Sequence, residues 1–160
     1  MIILGIDPGV AIVGYGVLEK KNKNLQFIDA GCILTQSSEI HARRLAKISR
    51  DLNKLIKKFN PNILAIEELF FCKNVKTALK VGEARGVILA TAMQLNIPIR
   101  EFTPLQIKQA LTGYGRADKN QIQQMVKIIL GLKSIIKPDD AADAVAVAIT
   151  CANSDLRFKP

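Results

Sequence analysis

Residues 3–18 read ILGIDPGVAIVGYGVL, an apolar run that ends in Asp7-Pro8-Gly9, turns, and resumes as a second apolar run. The continuous hydrophobicity of residues 2–6 is that of a strand covered on both faces, where an unpaired charge is costly. Two such runs either side of a Pro-Gly turn predict adjacent antiparallel strands. Residues 25–34, joined to the strand-like 12–19 by the turn-rich KKNKN at 20–24, predict a third. The chain is therefore expected to open as an antiparallel meander with Asp7 at the tip of its first strand.

Beyond residue 34 the apolar spacing becomes helical. Leu45, Ile48, Leu52, Leu55, Ile56 and Phe59 form one stripe, Ser38 is the expected N-cap, and Asn60-Pro61 stops the helix. NILAIE at 62–67 predicts a buried strand carrying Glu67 at its end, residues 74–93 a helix, IPIREF at 97–102 a short strand, and residues 104–111 a short helix. Asp118 suits the N-cap of a longer helix with the stripe Ile122, Met125, Val126, Ile129 and Leu130, ended by Gly131. Residues 138–152 are rich in alanine and apolar on most sides, so this last helix is expected to lie flat on the sheet. The order predicts an α/β fold: a mixed five-stranded sheet, antiparallel meander first and parallel strands afterwards, flanked by helices.

At 160 residues, 49% hydrophobic and 23% charged, the chain is expected to form a single domain over 1–160 with a core of its own. Cys32, Cys72 and Cys151 have neither disulfide-framework nor zinc-site spacing, no apolar stretch is long enough to span a membrane, and the N-terminus lacks signal-peptide order. A cytoplasmic protein with no membrane partner is the expectation. The net charge of +9 favours a polyanionic partner such as nucleic acid. The basic residues are concentrated: residues 41–58 hold seven against Asp51 alone, and residues 100–137 hold seven against Glu101 and Asp118.

Asp7 and Glu67 both fall at C-terminal ends of expected strands, the edge where open α/β sheets place their sites. In PDDAADAVAVA at 138–148, Asp140 and Asp143 are three apart and share a helix face. Gathered carboxylates raise one another's pKa unless a cation stands among them. Oxygen donors without histidine or cysteine companions select Mg²⁺ or Mn²⁺, and His41 is the only histidine. Four carboxylates suffice for two such ions about 4 Å apart, an arrangement that hydrolyses phosphodiesters by activating water and stabilising the leaving oxygen. Each acid also has a plainer reading. Asp7 suits a turn; Glu67 can simply end a strand, with Glu68 the alternative ligand, although alternation sends the two to opposite faces. Asp139 suits the N-cap of the last helix, yet its i, i+4 relation to Asp143 keeps it beside Asp140 as a candidate. Asp143, set among alanines on a buried face, has the least structural reason to be there.

The segments GIDPGVAIVGYGV (5–17), AIEELFFCKNVKTALKVGEARG (65–86), QIKQALTGYGRADKNQIQQMV (106–126) and DDAADAVAVAIT (139–150) resemble, in order and spacing, the RuvC Holliday-junction resolvases of the RNase H-like nuclease superfamily. The resemblance implies Asp7, Glu67, Asp140 and Asp143 as catalytic metal ligands. It implies a magnesium-dependent endonuclease acting in recombination and repair, with two ions per subunit. A homodimer would nick a four-way DNA junction symmetrically, leave 5′ phosphate and 3′ hydroxyl ends, and work with the branch-migration motor RuvA and RuvB. Two lysines near the scissile phosphate in that family match Lys108 in QIKQ and Lys119 in ADKNQ, and a base-stacking phenylalanine matches Phe70, with Phe71 the alternative. Lys73, Lys76 and Arg116, in the same segments, are further residues expected on the DNA. The plainer readings are solvated lysines and a core aromatic pair.

Ala78, Gly82, Gly86 and Ala90 recur every four residues, a ridge of small side chains against which another backbone can pack, either a partner's helix or the chain's own sheet. Two other functions remain open at this level. An actin-like ATPase also opens with strand-Asp-turn-Gly-strand but needs a second phosphate loop and lobe. A noncatalytic nucleic-acid-binding module of the same fold has no need of all four acids.

Overall fold

The computed structural model describes residues 1–22, 24–68 and 75–154, with Val75 and Lys76 described by their backbone alone. The elements are β1 (Ile2–Asp7), β2 (Ile12–Lys21), β3 (Asn24–Leu34), α1 (His41–Phe59), β4 (Ile63–Glu67), α2 (Val75–Gln94), β5 (Ile99–Phe102), α3 (Pro104–Thr112), α4 (Lys119–Ile129) and α5 (Asp139–Asn153). The strands form one sheet in the order β3-β2-β1-β4-β5. The β1–β2 and β2–β3 pairs are antiparallel, and the β1–β4 and β4–β5 pairs are parallel. This is the expected mixed sheet, and its central strand is the one that Asp7 ends.

Helices cover both faces. On one, Ile48, Leu52 and Ile56 of α1 and Ala84, Ile88 and Ala92 of α2 pack on Leu4, Ile6, Val17, Leu64 and Ile66. On the other, α5 with α3 and α4 packs on Ile3, Leu18, Ala65 and Phe102. Strand alternation then turns Ile3, Gly5 and Asp7 of β1, and Ile63, Ala65 and Glu67 of β4, toward α5. The α5 backbone sits almost directly on the sheet. A Cβ at Gly14 would collide with the Asp140 carbonyl, and one at Gly5 with that of Ala144. Eleven residues of α5 are buried, from Ala141 to Ala152 with Asp143 the exception.

Two capping expectations are corrected. Ser38 lies in a turn where Glu39 N–H donates to the Gln36 carbonyl, and α1 begins only at His41, with Ile40 as its N-cap and no side-chain cap. Asp139 is not the N-cap of α5. Pro138 holds that position, and Asp139, the first helical residue, accepts from Lys137 Nζ at 2.7 Å. Asp118 does cap α4, accepting from Gln121 N–H while the Gln121 side chain accepts from Asp118 N–H. Asn60 ends α1 in the left-handed region at φ 45°, and Gly131 follows α4 at φ 61°.

Candidate active site

The register gathers the acids. Ile6 pairs with Ile66 across the parallel β1–β4 ladder, so Asp7 and Glu67, one residue beyond, leave neighbouring strand tips on the same face. Asp7 pairs with Gly14 on its other side, and Gly14 is the residue on which the Asp140 carbonyl rests. Asp140 and Asp143 stand one turn apart at the start of α5, whose seat on the glycines brings both over those tips.

Electrostatics report the same gathering. Burial pushes the Asp7 carboxyl from its ordinary value of 3.8 up to about 7, and the charges of Glu67, Asp143 and Asp140 add to that, opposed by Lys119. Glu67 is raised by burial and by Asp143, with Lys108 acting against it. Asp143 is raised by burial despite its ion pair with Lys119. Lys119 Nζ lies 2.9 Å from Asp143 Oδ2 and 3.6 Å from Asp139 Oδ2, and that pairing raises its own pKa. Glu67, Lys108, Lys119 and Asp143 line a cavity of about 200 Å³, together with the apolar Ile107 and Ile122.

The alternatives left by the sequence are placed differently, although the charges of Asp139 and Asp140 both bear on Asp143. Glu67 faces α5, whereas Glu68 is past the end of β4 and its N–H donates to the Phe102 carbonyl at 2.9 Å. Asp140 is among the charges bearing on Asp7, whereas Asp139 is held by Lys137 and Gln123. Arg116 is exposed on the loop between α3 and α4. Phe70, Phe71 and Lys73 and the side chain of Lys76 lie outside the described residues.

Sequence reading missed three neighbours. Arg85 of α2 is partly buried, donates from Nε to the Glu67 carbonyl at 3.4 Å and pairs with Glu101, tying the β4 tip to β5. Gln123 is nearly buried on α4 and holds Asp139. Cys32 pairs with Gly14 across β2–β3 and feels the charges of Asp140 and Asp7. Only the GEARG run around Arg85 offered a signal, a cation on the inward side of a small-residue ridge.

Among the described residues no three acidic, histidine or cysteine side chains are already drawn into a metal cage. The Lys119 ammonium instead stands against Asp143. The donor set nevertheless suits a hard divalent cation. The charges of Glu67, Asp143 and Asp140 all bear on Asp7, which is charged only at the cost of desolvation and repulsion that a cation relieves.

A family model described as crossover junction endodeoxyribonuclease RuvC matches residues 3–151. A protein of that name from Caldicellulosiruptor saccharolyticus is 56% identical over 150 residues, 93% of this chain and 90% of the relative. Another from Alkaliphilus oremlandii is 54% identical over 96% of this chain and 94% of the relative. The structure of Thermus thermophilus RuvC in complex with Holliday junction substrate superposes with a TM-score of 0.89 at 36% identity, covering 94% of this chain and 92% of that one.

Proposed function

The chain belongs to the RuvC family of crossover junction endodeoxyribonucleases, and from that premise we propose that it resolves four-way DNA junctions by paired symmetric nicks at a divalent-metal site made of Asp7, Glu67, Asp140 and Asp143. One arrangement carries the site: Asp7 and Glu67 leave adjoining strand tips on the face that α5 covers with Asp140 and Asp143, where burial first and the neighbouring charges second raise Asp7 to about 7. A noncatalytic module has no use for such a group of acids, and alignment of 93–96% of this chain with these nucleases favours them over an ATPase of the actin type.

Those four acids would hold Mg²⁺, or Mn²⁺ in its place, as two ions. Such a pair when bound activates water for attack on a phosphodiester and stabilises the leaving 3′ oxygen, which gives 5′ phosphate and 3′ hydroxyl ends. Lys108 and Lys119, on the walls of the same cavity, set positive charge beside the phosphate. Lys119 opens α4, where the helix's free N–H groups also favour an anion. Arg116, exposed on the loop between α3 and α4, is a further proposed phosphate contact. Phe70, Lys73 and Lys76, close to Glu67 along the chain, complete the proposed DNA contacts.

A single domain spanning 1–160 acts in this reading as a homodimer, since two sites related by a two-fold axis can address two strands of a pseudo-symmetric junction. The outward face of α2 supports the contact. Ala84, Ile88 and Ala92 face the sheet, which leaves Gly86 and Ala90 exposed beside Leu79 and Met93, 65% and 60% exposed. Beyond them a Cβ at Gly86 would meet nothing within 4 Å. Among the described residues no helix is long and apolar enough to cross a membrane. We place the activity in the cytoplasm, in recombination and repair alongside a RuvA and RuvB motor. The test is cleavage of a labelled four-way junction against linear duplex of matched sequence, with and without Mg²⁺. Junction-selective, magnesium-dependent nicking is expected; equal cutting of both substrates would remove the resolvase reading, and cutting in chelator would remove the metal.

A further inference from the structure

Helix α1 carries more positive charge than its fold requires. At 100° per residue, Arg43, Lys47, Arg50, Lys54 and Lys57 fall within about 80° of arc, opposite the buried Ile48, Leu52 and Ile56. Like charges at these spacings repel. Part of the set is used internally: Lys47 and Lys54 pair with Asp51 at 2.5 and 2.9 Å. Arg43, Arg50 and Lys57 make no ion pair with any described residue and are exposed. They recur every seven residues, so they form a straight line of three free cations about 21 Å long.

That line starts at the catalytic edge. Thr35, just past the end of β3, donates its N–H to the Ala11 carbonyl at 3.0 Å and its hydroxyl to the Val10 carbonyl at 2.5 Å, in the loop that follows Asp7. Arg44 Nε donates to the same hydroxyl at 2.8 Å, pinning the first turn of α1 to that loop. Because β3 and β4 run the same way, α1 must return along the sheet. The stripe therefore leads from the edge bearing the carboxylates down the face opposite α5.

We propose that the outward face of α1 is a second DNA surface, along which Arg43, Arg50 and Lys57 hold the phosphates of a duplex arm as it leaves the active-site edge. The occupant rests on the junction reading above and deepens it. Its chemistry is set by charge: a duplex along the stripe presents about a dozen phosphates over that length, against three cations that no described residue neutralises. The stripe reads no bases, so it holds arms of any sequence.

The experiment measures binding of a synthetic four-way junction in chelator, between about 50 and 200 mM salt, by wild type and by the triple variant Arg43→Gln, Arg50→Gln, Lys57→Gln. The expected result is at least about tenfold weaker binding and a slope of log affinity against log salt smaller by about 2.7, roughly 0.9 for each lost phosphate contact. Arg50→Gln alone is expected to remove about 0.9 of that slope, which keeps the test valid if the triple variant folds poorly. The charge-preserving set Arg43→Lys, Arg50→Lys, Lys57→Arg keeps it. Shortening the junction arms is expected to weaken wild type and leave the triple variant unaffected. Wild-type affinity and slope in both neutralised variants would overturn the proposal and leave the nuclease reading intact. A wild type that binds junctions without cutting them in Mg²⁺ would remove the nuclease reading, while a reduced slope would still establish α1 as a DNA surface.

Discussion

Burial is the largest reason that Asp7 titrates near neutrality, and three other acids add to it. In metal-free protein the folded state therefore holds a proton between pH 4 and 7 that the unfolded chain has already released. Stability should fall as pH rises through that window and level off above it, by up to a few kcal/mol. Asp7→Asn should flatten most of this fall, and Mg²⁺ should raise the melting temperature of wild type at pH 8 by binding only the folded state; thermal melts across pH read both. The paired alternatives give a sharper contrast. Glu67→Gln and Asp140→Asn should each lower single-turnover cleavage by about 10³-fold, since one charged ligand is worth several kcal/mol. Glu68→Gln and Asp139→Asn should stay within about tenfold of wild type. The candidate group was legible less from any one acid, since Asp7 suits a turn and Glu67 a strand end, than from their shared placement at strand ends and on one face of the last helix. Choosing between Asp139 and Asp140 was not, because neighbours along a helix differ only in the face they present, and that face depends on how α5 is seated on a distant strand.

At the scale of elements, the site depends on how closely α5 approaches the sheet. Gly14→Ala puts a methyl group into the Asp140 carbonyl. It should cost about 1–3 kcal/mol by overpacking and reduce cleavage more than junction affinity, as compared by a denaturant melt and by the two assays side by side. The order and type of the described elements followed from period and turns: a continuous apolar run for β1, turn-bounded runs for β2 and β3, a 3.6-residue stripe for α1, an all-round apolar face for α5. The Asp118 capping box is a purely local device and was readable as such. The start of α1 was not. Ser38 has the right chemistry for a cap, but the strand end at Thr35 is fastened to Val10 and Ala11, and the chain must turn again before the helix can begin. Tertiary fastening overrode the local preference.

For the whole molecule, a net charge of +9 and the acids at the sheet edge belong together in the proposed reading: the first draws the polyanion, and the second is where it would be cut. In the proposed homodimer, two such sites make the paired nicks. Gly86→Arg, on the exposed face of α2, should leave the fold intact and yield monomers in sedimentation that cut junctions singly, whereas an unchanged dimer would place the contact elsewhere. The most direct measurement compares wild type with Asp7→Asn on one labelled four-way junction, reading binding in chelator and cleavage in Mg²⁺. Junction affinity within a few-fold of wild type together with loss of cleavage is the expected outcome; cleavage at the wild-type rate would contradict the carboxylate site on which everything else rests.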